Sequence, residues 1–189
     1  MSALQPILTG KEIKISSQMM IVSKTDARGI ISFGNDNFVK VSGYPETELI
    51  GTPHNILRHP DMPKAIFYLM WQKIQRGKNI MAIVKNLSKN GDYYWVTTDF
   101  EIRRDRDRKI QSYLAFRQAA PRYVVKEIES LYTIMLDIEE KLGMDESLLY
   151  LEGYLDERGM SYEEYIQSLV APKGLSETLF VKMRDIFGS

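Results

Sequence analysis

The sequence predicts an α+β fold: a five-stranded antiparallel sheet with short helices over one face, followed by a C-terminal helical extension. Three observations carry that prediction. Short apolar, β-branched and aromatic segments come in two sets, at residues 19–33 and 80–118, with helical patterning between them. Turn-forming residues join neighbouring segments into hairpins at 26–29, 88–92 and 103–109. After Ala119-Ala120-Pro121 the pattern becomes helical almost to the end. The expected units are an N-terminal extension at 1–15, an α+β domain at 16–118 and a helical region at 119–189.

Each element has a local cause. Met19 to Ser23 is a short apolar strand, Asp26-Ala27-Arg28-Gly29 a turn, and Ile30 to Phe33 a second strand. Asn35-Asp36 opens a helical stretch with Phe38, Val39 and Val41 as apolar contacts. Pro45 suits the first turn of a short helix that Gly51 stops. Pro63 starts a stronger helix, marked on one face by Ala65, Ile66, Leu69, Met70 and Ile74, and Gly77 ends it. Ile80 to Leu87 is the third strand. Asn90-Gly91 is a hairpin signal, Tyr93 to Ile102 alternates as a half-exposed strand does, and Ile110 to Gln118 is the last strand. Helices laid over one face of such a sheet leave a cavity between the layers.

Composition narrows the functional classes. Lys+Arg 25 against Asp+Glu 25 leaves no basic excess, which disfavours a dedicated nucleic-acid binder. No apolar run approaches the roughly 20 residues of a membrane span, so a cytoplasmic protein is expected. Cys 0 rules out disulfides, thiolate metal sites and cysteine nucleophiles, and with His 2 a structural zinc site is not expected. There is no Gly-x-Gly-x-x-Gly run and no kinase, cyclase or phosphodiesterase motif, so no enzyme activity is expected.

The run Pro53-His54-Asn55-Ile56-Leu57-Arg58-His59-Pro60-Asp61-Met62-Pro63 holds both histidines of the chain. Three prolines in eleven residues fix the backbone in a stiff, irregular path. Asn55 and Arg58 as donors, His59 as a titratable ring and Asp61 as an acceptor suit recognition of a polar, anionic ligand. The same residues also suit a loop that caps neighbouring helices.

Several motifs together resemble a known family. Asn35-Asp36-Asn37-Phe38-Val39, Val41-Ser42-Gly43-Tyr44, Glu48-Leu49-Ile50-Gly51, Met70-Trp71 and Val84-Lys85-Asn86 occur in the order and spacing of a PAS sensor domain, as does Lys89-Asn90-Gly91-Asp92-Tyr93-Tyr94-Trp95-Val96. The Arg58-His59-Pro60-Asp61-Met62-Pro63 run resembles the flavin-binding branch of that family found in aerotaxis (energy taxis) transducers. The resemblance covers residues 16–118. It implies FAD held noncovalently, whose redox state follows electron transport. By motif match it gives Arg58, His59 and Asp61 FAD-binding roles and places Asn35, His54, Trp71 and Asn86 at or near the flavin pocket. One departure stands out. Where the family carries Gly-x-x-Trp-x-Gly, this chain has Gly77-Lys78-Asn79-Ile80-Met81-Ala82. The absence of cysteine removes the thiol adduct of light-oxygen-voltage photoreceptors. The other readings are a cofactor-free PAS interaction or dimerisation module, a heme sensor with His54 or His59 as axial ligand, and a small flavoprotein oxidoreductase.

In the second half Val124, Ile128, Leu131, Met135, Ile138 and Leu142 form an a/d seam. It suits either the chain's own sheet or a dimer or partner helix at 121–142. Asp145 is expected to cap the next helix. Ser161-Tyr162-Glu163-Glu164 is a capping box, and Ser176 is expected to cap a last amphipathic segment. A transducer of the resembled family also carries a membrane segment, a linker and a long signalling coiled coil, none of which is visible here. The resemblance therefore points to a separate PAS subunit of a two-protein energy-taxis receptor. Its partner would be a membrane-bound, chemoreceptor-like signalling protein that draws this chain to the inner membrane.

Overall fold

A computed structural model describes residues 6–170. Five strands, β1 (Ile21–Asp26), β2 (Ile31–Gly34), β3 (Ala82–Leu87), β4 (Tyr93–Arg104) and β5 (Ile110–Ala119), form one antiparallel sheet in the order β2-β1-β5-β4-β3. Between β2 and β3 lie α1 (Asp36–Ser42), α2 (Glu46–Leu49), a single 3₁₀ turn (His54–Leu57) and α3 (Lys64–Gln75). Three helices follow the sheet: α4 (Arg122–Lys141), α5 (Met144–Asp156) and α6 (Tyr162–Val170). This is the PAS fold expected from the sequence, with C-terminal helices.

Local chemistry accounts for the turns that fix the sheet. Asp26 Oδ1 accepts from the N–H groups of Arg28 and Ile30, both at 2.9 Å, and Gly29 takes φ +85° between them. Asn35 caps α1: its Oδ1 accepts from Phe38 N–H at 3.0 Å and also from Val22 N–H, tying the helix to β1. The capping box forms, with Glu164 N–H donating to Ser161 Oγ and Ser161 N–H to Glu164 Oε2 at 2.7 Å.

Some boundaries differ from the sequence reading. β1 starts at Ile21 and runs three residues past the expected end, because β5 pairs with it as far as Asp26. β3 begins at Ala82, where its pairing with β4 starts, so Ile80 and Met81 only lead into it. Asp145 does not cap α5. Gly143, at φ +100°, is the N-cap and makes no side-chain bond, and Asp145 stands in the first turn, where its charge suits the helix dipole. The expected cap at Ser176 lies outside the described residues.

Alternation along the strands sorts the sheet into two faces. Ser23, Thr25, Val84, Asn86, Thr98, Phe100, Tyr113, Ala115 and Arg117 face α3. On the opposite face Trp95 packs against Tyr132 of α4, with ring centroids 6.4 Å apart. Val124, Ile128, Leu131 and Met135, four residues of the α4 seam, are buried in the chain's own core, whereas Leu142 at its end is exposed. Residues 9–13 run beside the β3–β4 turn, away from the cavity. There Ile13 N–H donates to Tyr93 O at 2.7 Å, and Thr9 Oγ1 donates to Asp92 Oδ1.

Candidate functional site

A cavity of about 530 Å³ lies between α3 and the inner face of the sheet, within the usual range of small-molecule sites. The floor is β-sheet; α3 supplies Phe67, Met70, Trp71 and Ile74 as one wall; the 53–58 segment supplies His54, Asn55 and Arg58 as another. Trp71 meets Tyr113 edge-to-face at 5.8 Å, an aromatic corner suited to a flat, delocalised ligand. The ionisable side chains lining the space are cationic or histidine: Arg28, His54, Arg58, Lys64 and Arg117, besides Tyr68 and Tyr113. No carboxylate side chain is among the lining residues.

Arg117 sets the electrostatics. β5 carries it onto the inner face between Ser23 and His54, and it is 4% exposed. Its guanidinium bonds two neutral groups, Ser23 Oγ at 2.8 Å and His54 Nε2 at 3.0 Å. Because arginine only donates, His54 Nε2 must be the acceptor nitrogen. Burial and the Arg117 charge hold His54 neutral, its pKa pushed down to about 3. Burial lowers the Arg117 pKa to about 10, so it remains charged at neutral pH. Nε2 already serves Arg117 and Ser23, which leaves His54 a hydrogen-bonding group rather than a metal ligand.

The seven residues singled out in the sequence separate. His54, Arg58, Trp71 and Asn86 line the cavity. Asn35 does not: both ends of its amide are spent on α1 and on Met20 O, Val22 N and Phe38 N. His59 and Asp61 lie at the β3 edge instead. There Asp61 pairs with the buried Lys85 at 2.6 Å, His59 Nδ1 accepts from Asp61 N–H, and the His59 ring meets Tyr93 edge-on. Burial, then the Lys85 charge, lowers the His59 pKa to about 4. Arg58 stacks over Phe67 at 4.5 Å and reaches Met62 O. Ile80 and Ala82, where the resembled family has tryptophan and glycine, are buried in the core and do not line the cavity.

Sequence reasoning missed Arg117, Phe67, Tyr113 and Met144. Arg117 had a signal: it alternates in phase with Tyr113 and Ala115, and an arginine on the apolar face of a strand needs a reason. Met144 had none, since it enters from α5, across the chain.

The class of protein follows from fold and cavity together. Residues 31–117 match the family model described as PAS fold, and they form a PAS domain. The chain is 37% identical over 150 residues to the aerotaxis receptor of Escherichia coli K12, a match that covers 79% of this chain and 29% of that protein. It is 27% identical over 81 residues to the biofilm dispersion protein BdlA of Pseudomonas aeruginosa, covering 42% of this chain and 19% of that protein. The chain thus spans less than a third of either relative. Among solved structures, the light-state structure of the blue-light photoreceptor Aureochrome1 LOV aligns with a TM-score of 0.51 at 17% identity, covering 65% of this chain and 94% of that one. This last likeness concerns the fold alone. Among the described residues no helix is long and apolar enough to cross a membrane, and no group of three or more His, Asp or Glu is placed to hold a metal ion.

Proposed function

We propose that this chain is a redox sensor for taxis that holds FAD in the cavity under α3 and relays its redox state to a membrane-bound chemoreceptor-like partner. The observation that carries the reading is the buried Arg117 guanidinium, facing a cavity that no carboxylate side chain lines. Such a site favours a ligand that brings negative charge or strong acceptors, because a buried cation without a counter-charge is costly. A flavin offers ring carbonyls, unprotonated ring nitrogens and phosphates to such donors. Trp71, Phe67 and Tyr113 supply flat apolar surface, Asn86 supplies an amide, and Arg58 and Lys64 supply charge toward α3. The likeness to a protein named as an aerotaxis receptor supports the taxis setting.

A bound flavin would supply reversible reduction; the chain's residues orient it and exclude water. Arg117 and His54 fix the polar edge of the cavity, and the neutral His54 keeps that edge from carrying two positive charges. Asn35, His59 and Asp61 act on the cavity only indirectly: Asn35 by tying α1 to β1 at Val22, His59 and Asp61 by holding the 58–63 segment against β3. The partner would read the position of the C-terminal helices.

The test is the visible spectrum of the freshly purified protein, with identification of any chromophore released on denaturation. An oxidised-flavin spectrum and released FAD are the expected result. A colourless protein that takes up neither FAD nor FMN overturns the reading and leaves an interaction module.

A further inference from the structure

α3 walls the cavity, yet its first turn has no cap from its own neighbourhood. Pro63 occupies the N-cap position and makes no side-chain bond, so the first backbone N–H groups need partners from elsewhere. Two of them find one in α4. Lys64 N–H donates to Glu139 Oε2 at 2.9 Å and Ala65 N–H to Glu139 Oε1 at 2.8 Å. A carboxylate at a helix N-terminus is also where the macrodipole favours it.

The same carboxylate acts on the cavity. Arg58 reaches Met62 O and lies over Phe67, and Glu139 holds the N–H groups of Lys64 and Ala65, so both charges stand at the start of α3, where the Glu139 charge favours the cationic Arg58 against burial. The neighbouring helices hold α3 too: Met144 of α5 lines the cavity, and Glu163 of α6 pairs with Lys73 at 2.8 Å. The three helices α4, α5 and α6 therefore reach α3 or the space it covers, and Glu139 bonds the start of α3 beside Arg58.

We infer that Glu139 couples the contents of the cavity to the position of the C-terminal helices, by sharing Arg58 with an anionic group of the ligand. This rests on reading the cavity as an anionic-ligand site. When such a group neutralises Arg58, Glu139 loses that attraction and faces a like charge instead. Its hold on α3 is then reduced to two neutral N–H donors, and the α4–α5 junction loosens. The coupling is reciprocal, so Glu139 in place opposes the ligand by the same factor that the ligand loosens Glu139. Glu139 is a positioning residue in this scheme.

The experiment is hydrogen–deuterium exchange on the whole chain with and without FAD, for the wild type and Glu139→Gln, with FAD binding read from quenching of its fluorescence. In the wild type, FAD should speed exchange at 136–148. In Glu139→Gln, exchange there and at 64–66 should be fast without ligand, FAD should add nothing, and FAD should bind about fivefold more tightly. A purely structural cap would instead weaken binding when removed, so weaker binding by Glu139→Gln overturns the inference. So does unchanged exchange at 136–148 in FAD-loaded wild type. If FAD fails to bind, the flavin reading falls, and Arg58→Met in the ligand-free protein decides the coupling. This variant copies the neutralised state and must speed exchange at 136–148; exchange equal to wild type overturns the inference.

Discussion

Arg117 Nη2 donates to His54 Nε2 at 3.0 Å, so the one strand arginine that faces the cavity is bonded to a neutral ring and a neutral hydroxyl. A carboxylate in place of either group would have made a buried ion pair. Its omission leaves a charge that the ligand is free to satisfy. Hydrogen bonds to charged groups contribute about 1.5–3 kcal/mol each, so Arg117→Met should weaken FAD binding by at least about tenfold. The same variant removes a buried charge of low compensation and should change the stability of the ligand-free protein little. Fluorescence titration with FAD and urea unfolding of the ligand-free protein check the two halves.

Gly29 and Trp71 bound the cavity at the β1–β2 turn. A Cβ on Gly29 would sit 2.7 Å from the Trp71 ring, and Gly29 holds φ +85°. Gly29→Ala should cost about 1 kcal/mol in backbone strain and push Trp71 into the space a ligand would fill. Ligand uptake should be lost while the far-ultraviolet circular dichroism stays that of the wild type. Uptake equal to the wild type would show that the ligand does not use this corner.

Both histidines make stability fall on mild acidification. Their folded pKa values, about 3 for His54 and about 4 for His59, lie below the ordinary 6.5. The unfolded chain therefore binds more protons than the folded one between pH 6.5 and 4, and stability rises with pH across that window. The effect is complete above about pH 6.5 and is lost as pH falls toward the folded values. Each histidine can contribute at most about 1.4 kcal/mol per pH unit, and His54 less, since it is partly accessible from the cavity. Urea midpoints measured at pH 7 and pH 5 should differ in the wild type, and His54→Asn should shrink the difference.

How much of this was legible before folding depends on what a side chain's role requires. The strands, their antiparallel pairing and the α3 limits follow from local pattern: Pro63 and Gly77 bracket one helix, and Asn90-Gly91 fixes one hairpin. The division of the 53–63 run does not follow. His54 and Arg58 enter the cavity while His59 and Asp61 turn to the β3 edge, because a single 3₁₀ turn at His54–Leu57 and a bridge from Arg58 to Asn86 re-aim the chain within four residues. Sequence proximity carries no record of which side of β3 a loop passes. Likewise the Glu139 cap joins residues 74 and 75 apart in sequence, and no local pattern announces it.

The Asp61–Lys85 pair tests whether the 58–63 segment acts through structure. Lys85 is 7% exposed, bonded to Asp61 at 2.6 Å and set over the Tyr93 ring at 4.4 Å. Removing the carboxylate leaves a buried cation, whereas removing the cation leaves a half-exposed carboxylate that water can reach. Asp61→Asn should therefore destabilise the ligand-free protein by about 1–2 kcal/mol, at the low end for a buried pair because Asp61 is half exposed, and Lys85→Met should cost less. Chemical denaturation of the two variants checks the order. The opposite order would show that the Lys85 cation over Tyr93 outweighs the ion pair.

The tyrosine pair between α4 and α6 joins the C-terminal helices to the sheet. Tyr132 Oη lies 2.9 Å from Ile83 O and 2.9 Å from Tyr162 Oη, and all three groups are buried. The carbonyl can only accept, so Tyr132 O–H donates to it and Tyr162 O–H must donate to Tyr132 Oη. Tyr132→Phe then strands two buried groups, the Ile83 carbonyl and the Tyr162 hydroxyl, and should cost about 1–3 kcal/mol. Tyr162→Phe strands one group, the Ile83 N–H that the Tyr162 hydroxyl faces, while Tyr132 keeps its donation to Ile83 O, and should cost less. If helices and sheet form one cooperative unit, helical circular dichroism and the fluorescence of Trp95, which packs on Tyr132, read in a Trp71→Phe background, should report one unfolding midpoint in both variants. Separate midpoints in the wild type would mean that α4–α6 fold on their own and that the sheet does not depend on them.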